Sequence, residues 1–131
     1  MSYLADTDLV ADYLNAQRSA IKLLDKLLSA GLSISLVTYG EIYDGIYGSP
    51  NVKPAERAFH RFLRSVHIVP LNQAIMREWA RVRGDLRRQG MRIADNDAMI
   101  AATAIYYDHE LMTRNVRHFA RVPSLKLYQP P

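Results

Sequence analysis

Short apolar runs alternate with amphipathic stretches along the chain, and this alternation restricts the fold more than any other feature. Residues 3–6 (YLAD), 32–37 (LSISLV), 66–71 (VHIVPL), 110–113 (ELMT) and 125–128 (LKLY) read as strands rich in apolar or β-branched side chains. Residues 8–15, 19–30, 38–47, 55–64, 73–89 and 95–107 read as helices, with apolar positions such as Ile21, Leu24, Leu27 and Leu28 at helical spacing. Gly31 closes the second helix, GSPNVKP (48–54) is a loop, 90–93 a connector, and 116–119 at most a helical turn. Strands separated by helices need crossover connections, which give a mainly parallel sheet covered on both faces. The expected fold is therefore α/β, an α/β/α sandwich. No repeat or linker divides the 131 residues, so 1–131 is expected to form one domain.

Composition narrows the functional classes. With no cysteine, disulfides and thiolate metal sites are excluded, which suits a reducing cytosol. The start lacks a charged segment followed by a long apolar one, and no apolar run nears the roughly 20 residues that cross a bilayer. A cytoplasmic protein with no membrane partner is expected. The net charge of +4 permits a polyanionic partner. Within this basic chain, acids gather at particular junctions.

Asp6 follows the first strand, and Glu41 follows the second by one helical turn. Asp95 and Asp97 open the helix DNDAMIAATAIYY, and Asn115 follows ELMT. Singly, each has a capping explanation. Asp6 or Thr7 can cap the first helix, Thr38 and Glu41 match a capping box, and Asp95 or Asn96 can cap the helix behind them. Together they point elsewhere, because residues just after separate parallel strands converge at one sheet edge. Acids gathered there raise one another's pKa unless a cation compensates. Oxygen donors without cysteine, and with His60, His67, His109 and His118 in no HExxH-like pairing, favour Mg2+ or Mn2+ over zinc. An acidic, metal-filled notch on a basic protein suits phosphodiester chemistry.

The same residues carry a resemblance to the PIN-domain nucleases, and within them to the VapC-type toxins of toxin–antitoxin pairs. LADTDLV resembles the family's opening strand with its D-T-[ND] motif, and SISLVTYGEIYDGI its S-x-V-T-x-x-E segment. IADNDAMIAATAI is similar to its D-x-x-I-A-A helix, and LMTRNVRHFARVPSLKL to its closing segment. Four motifs in order cover essentially the whole chain. The resemblance implies a metal-dependent endoribonuclease in which Asp6, Glu41 and Asp97 are catalytic and hold Mg2+ or Mn2+. The metal would activate a water, whose proton passes to Glu41 or Asp97. Asp8 would cap the first helix or act in support, Asp95 and Asn115 fall in supporting positions, Asn115 where the family's fourth acid stands, and Thr7 and Thr113 have hydroxyls suited to orienting carboxylates or water.

Three partners are implied: an RNA substrate, a second copy of the chain forming a homodimer, and a cognate antitoxin. Helices 8–15 and 38–47 would supply the antitoxin's groove. Arg114 and Arg117, beside the expected site, are the candidates for RNA contact. Arg77, Arg81, Arg88 and Arg92 recur near helical spacing and read as a solvated face rather than a phosphate-binding stripe. Tyr39, Tyr43, Tyr47 and Trp79 read as core or interface.

Rival readings fit less well. A phosphoacceptor receiver domain needs an acid at its central strand's end, but HIVPLNQ (67–73) has none and Lys126 lies inside its strand. A haloacid-type phosphatase accounts for Asp6 and Asp8 but lacks its lysine motif. A catalytically silent PIN fold that binds RNA or protein is the alternative that Asn115 keeps open.

Overall fold

The computed structural model describes residues 2–129. Strand β1 (Tyr3–Ala5) leads into α1 (Thr7–Leu14). Helix α2 (Arg18–Asp25) and a 3₁₀ turn (Leu28–Ala30) return the chain to β2 (Leu32–Ser35). Helices α3 (Leu36–Tyr47) and α4 (Val52–Leu63) precede β3 (His67–Val69). Helices α5 (Gln73–Arg88) and α6 (Asp95–Tyr107) precede β4 (Glu110–Met112), and the short α7 (Val116–Phe119) follows.

The sheet order is β3-β2-β1-β4, with every pairing parallel. Ala5 is in register with both Ile34 and Met112, so β1 and β4 finish level and β2 runs one residue further, to Ser35. Side chains alternate across the pleat. Leu4 packs with Val82, Ile100 and Leu111 beneath α5 and α6, while Ala5 joins Leu9, Leu24, Ile34 and Phe59 beneath α1 to α4. The expected α/β/α sandwich is present. No helix among the described residues is long and apolar enough to cross a membrane.

Several boundaries differ from the sequence reading for local reasons. Helix α3 starts at Leu36 because the Ser35 hydroxyl accepts the Val37 N–H, which makes Ser35 the cap and shortens β2. The expected capping box of Thr38 and Glu41 therefore does not form. Helix α4 starts at Val52 despite Pro54, because first-turn N–H groups have no intrahelical partner to lose. The helix expected over 19–30 ends as α plus 3₁₀, and Gly31 stops it at φ 98°, a conformation that favours glycine. The strand expected over 125–128 reduces to one parallel bridge, Leu111 with Leu127.

Candidate active site

The strand ends place Asp6, Thr113 and the first turn of α3 along one edge. Asp6 lies just beyond β1, its N–H bonded to the Met112 carbonyl at 3.0 Å. Its extended backbone makes it the cap of α1: Oδ1 accepts the Leu9 N–H at 3.0 Å. Asp8 is not the cap: it sits exposed in the first turn of that helix, close enough for its charge to act on Asp6 and Asp97. The other Asp6 oxygen, Oδ2, accepts the Thr113 hydroxyl at 2.5 Å, and that hydroxyl in turn accepts the Asn115 N–H at 2.9 Å. Only 4% of Asp6 is exposed. Burial pushes its carboxyl up to about 6 against the two hydrogen bonds, with the charges of Asp8 and Asp97 adding to the rise.

Glu41 is held from both sides. Its Oε1 accepts the Thr7 hydroxyl at 2.6 Å and its Oε2 the Asn96 amide at 3.1 Å. Thr7 and Thr38 hydroxyls lie 2.9 Å apart. Because Thr7 gives its one proton to Glu41, Thr38 donates to Thr7, which makes a chain Thr38–Thr7–Glu41.

The first turn of α6 sends three successive side chains to three elements. Asp95 pairs with Arg83 of α5 at 3.4 Å, Asn96 reaches Glu41 of α3, and Asp97 faces His118 of α7, Nε2 to Oδ2 3.3 Å. Asp95 is not the cap expected from sequence. It stands inside the helix, and the residue before it, Ala94, has no capping side chain. The Asp97 carboxyl is raised by burial, opposed by His118, and raised again by Glu41 and Asp8. The Nδ1 of His118 lies 3.0 Å from an Arg121 guanidinium nitrogen. Guanidinium only donates, so Nδ1 is the acceptor and the neutral ring carries its proton on Nε2, toward Asp97. The Nε2–Oδ2 contact is an ion-pair distance without hydrogen-bond alignment.

The acids expected to gather do share this edge and feel one another's charge. They are not drawn into a ready ligand set: among the described residues no three acids or imidazoles are close enough to hold one metal ion. Glu41 is turned toward Thr7 and Asn96, and Asp97 toward His118. The chemistry of the donors nonetheless fits a hard divalent cation. Such ions need only one or two carboxylates besides water and substrate phosphate. Asp6 is a buried and Asp97 a half-buried carboxylate, and the charge of Asp97 opposes the ionisation of Asp6.

Other expectations met different outcomes. Arg114, an RNA-contact candidate, is committed to an ion pair with Asp12 and donates to Ser19 Oγ at 2.6 Å. Arg117 is exposed and unpaired among the described residues. Asn115 is exposed, and its side chain makes no capping bond. Sequence reasoning weighed Asn96 only as a helix cap and His118 only against zinc motifs, and it passed over Arg121. Asn96 lies between two noted acids, and a helical turn necessarily aims it at a different neighbour. His118 follows Asn115 by three residues, close to one turn of α7.

The PIN-domain family profile matches residues 3–125, which contain every residue of this edge. The chain belongs to the PIN-domain family. It is 30% identical to Ribonuclease VapC1 of Haemophilus influenzae over 96% of both chains. Its fold is similar to a chain of the VapBC2 crystal structure from Rickettsia felis bound to a promoter DNA fragment. That match has a TM-score of 0.91 and 25% identity and covers 100% of both chains. VapBC-1 from nontypeable Haemophilus influenzae contains a similar chain, with a TM-score of 0.86, 30% identity and 98% coverage of both.

A cleft of about 450 Å³ opens beside the acids of this PIN domain. Ala11 and Leu14 of α1, Ile42 and Ile46 of α3 and Ala55 of α4 line it, and it reaches Thr7 and Glu41. Helices α1 and α3 of the PIN domain thus form a largely apolar trough ending at a carboxylate.

Proposed function

We propose that the chain is a metal-dependent endoribonuclease and the toxin member of a toxin–antitoxin pair. The observation that carries this reading is the convergence of Asp6, Glu41 and Asp97 at the sheet's carboxyl edge in a PIN domain. Asp6 and Asp97 would hold Mg2+ or Mn2+, with Glu41 joining directly or through water. Such an ion lowers the pKa of a water and offsets the charge that builds on the phosphate in the transition state. Thr113 and the Leu9 N–H fix the Asp6 carboxylate, while His118 steadies Asp97. Thr7 and Asn96 aim Glu41, and either Glu41 or Asp97 receives the proton of the attacking water.

The apolar trough between α1, α3 and α4 fits an amphipathic antitoxin segment, and an arginine offered at its end would meet Glu41. The relatives' names and their complexes support this partner, and a second copy of the chain is the further partner proposed.

The test reads the ends of the products. Attack by water leaves a phosphate monoester and a hydroxyl, whereas attack by the ribose 2′-OH leaves a 2′,3′-cyclic phosphate. The antitoxin-free protein with Mg2+ is expected to cut RNA without cyclic ends and to arrest growth when induced alone. Cyclic ends would overturn the mechanism. A folded protein that cuts no RNA would favour the silent binding module.

A further inference from the structure

Four of the five arginines of α5 fall into two groups, a division that sequence spacing did not reveal. Arg81 pairs with Glu78 and Asp85, and Arg88 pairs with Asp85, so one stripe of the helix neutralises itself. Arg83 and Arg87 project to another side. There they line a cleft of about 450 Å³ with Arg92, Ile93, Ala94 and Asp95. Arg87 and Arg92 are exposed, and neither has a carboxylate at ion-pair distance among the described residues. Arg83 is fixed in place, 3.4 Å from Asp95 and 4.9 Å above the centre of the Trp79 ring, and it compensates the one acid on the rim.

The cleft is joined to the candidate active site. Asp95 lines it, and Asp97 follows two residues later in the same helical turn. Trp79 Nε1 donates to the Asp95 carbonyl at 3.2 Å. The Arg121 guanidinium spans the other side, donating to the Arg92 carbonyl at 2.9 Å and to His118 Nδ1 at 3.0 Å. One wall of the cleft is therefore tied through His118 to Asp97. The volume lies in the range of pockets that take small ligands, sufficient for a phosphate and its sugar.

We infer that this cleft, walled by Arg83, Arg87 and Arg92, is a subsite for an RNA backbone phosphate flanking the one that is cut. The inference rests on the ribonuclease reading, which supplies the strand. Guanidinium forks match phosphate oxygens, and a backbone contact of this kind positions the RNA without reading its bases.

The experiment measures binding of a fluorescein-labelled 12-nucleotide single-stranded RNA by fluorescence anisotropy, in EDTA and in an Asp97→Asn background. Cleavage KM and kcat are measured separately on otherwise wild-type protein. Arg87→Gln/Arg92→Gln is compared with Arg81→Gln/Arg88→Gln, which removes the same charge from the paired stripe. The first pair is expected to weaken binding roughly tenfold at 0.15 M salt and to reduce the slope of log K against log salt by about 1.4, two contacts' worth. KM rises while kcat holds, and the second pair has a much smaller effect. Equal losses in both pairs would overturn the subsite, as would RNA binding and cleavage unchanged in the first pair, although the ribonuclease reading would survive. Failure of the parent protein to bind RNA would overturn both.

Discussion

Asp6→Asn should stabilise the protein at neutral pH while abolishing its activity. The carboxyl is 4% exposed, and its rise from 3.8 to about 6 means that the ionised folded protein forgoes about 3 kcal/mol. Asparagine keeps an oxygen for the Leu9 N–H but cannot accept the Thr113 proton through its amide nitrogen, a loss of about 1 kcal/mol. The net gain at pH 7 is then about 2 kcal/mol, or roughly 5–8 °C in Tm for a chain of this size. The sign follows from proton uptake. Between pH 4 and 6 the folded wild type holds a proton that the unfolded chain has lost, so this group's contribution falls as pH rises through that window. Below about pH 4 both states are protonated, and the variant becomes less stable by the roughly 1 kcal/mol of the lost Thr113 bond. Thermal melts of metal-stripped wild type and variant from pH 3.5 to 7.5 read this directly. A variant less stable at pH 7, or a difference that stays flat from pH 4 to 7, would refute the buried-charge reasoning.

Thr113→Val removes the hydroxyl that holds the Asp6 carboxyl down, so the acidic limb of the pH–rate profile should move to higher pH, and stability should fall by about 1–2 kcal/mol. An unmoved limb would mean that Asp6 does not set it. His118→Ala removes the imidazole facing Asp97, and Mn2+ affinity measured by calorimetry should fall on the order of tenfold, with partial recovery in His118→Gln. Tighter Mn2+ binding in His118→Ala would show that the imidazole competes with the metal.

The layers of the fold were legible because their signals are local. LSISLV and the apolar face of α6 announce themselves within one element, and the acids that follow the strands reach the carboxyl edge by topology alone. The bonds that organise the site were not legible, because they join residues distant in the chain. Asn96 meets Glu41 across α6 and α3, and Thr113 meets Asp6 from opposite ends of the sequence. Asp8 and Thr38 mislead for a related reason. Each is a plausible cap by type, but Asp6 and Ser35 precede them with the extended backbone that a cap requires. The two stripes of α5 separate only when Glu78 and Asp85 are seen to take Arg81 and Arg88. Arg114 lies near the site in sequence, yet Asp12 and Ser19 hold it.

Whether this edge cuts RNA with a divalent ion held by Asp6 and Asp97 is decided by one titration. Metal-stripped protein is mixed with a single RNA, and the initial cleavage rate is followed as Mn2+ is added to wild type, Asp6→Asn and Asp97→Asn. The expected result is no cleavage in EDTA, a saturable rise in the wild type, and loss of that rise in both variants. Cleavage that persists in EDTA, or in either variant at saturating Mn2+, would contradict the account.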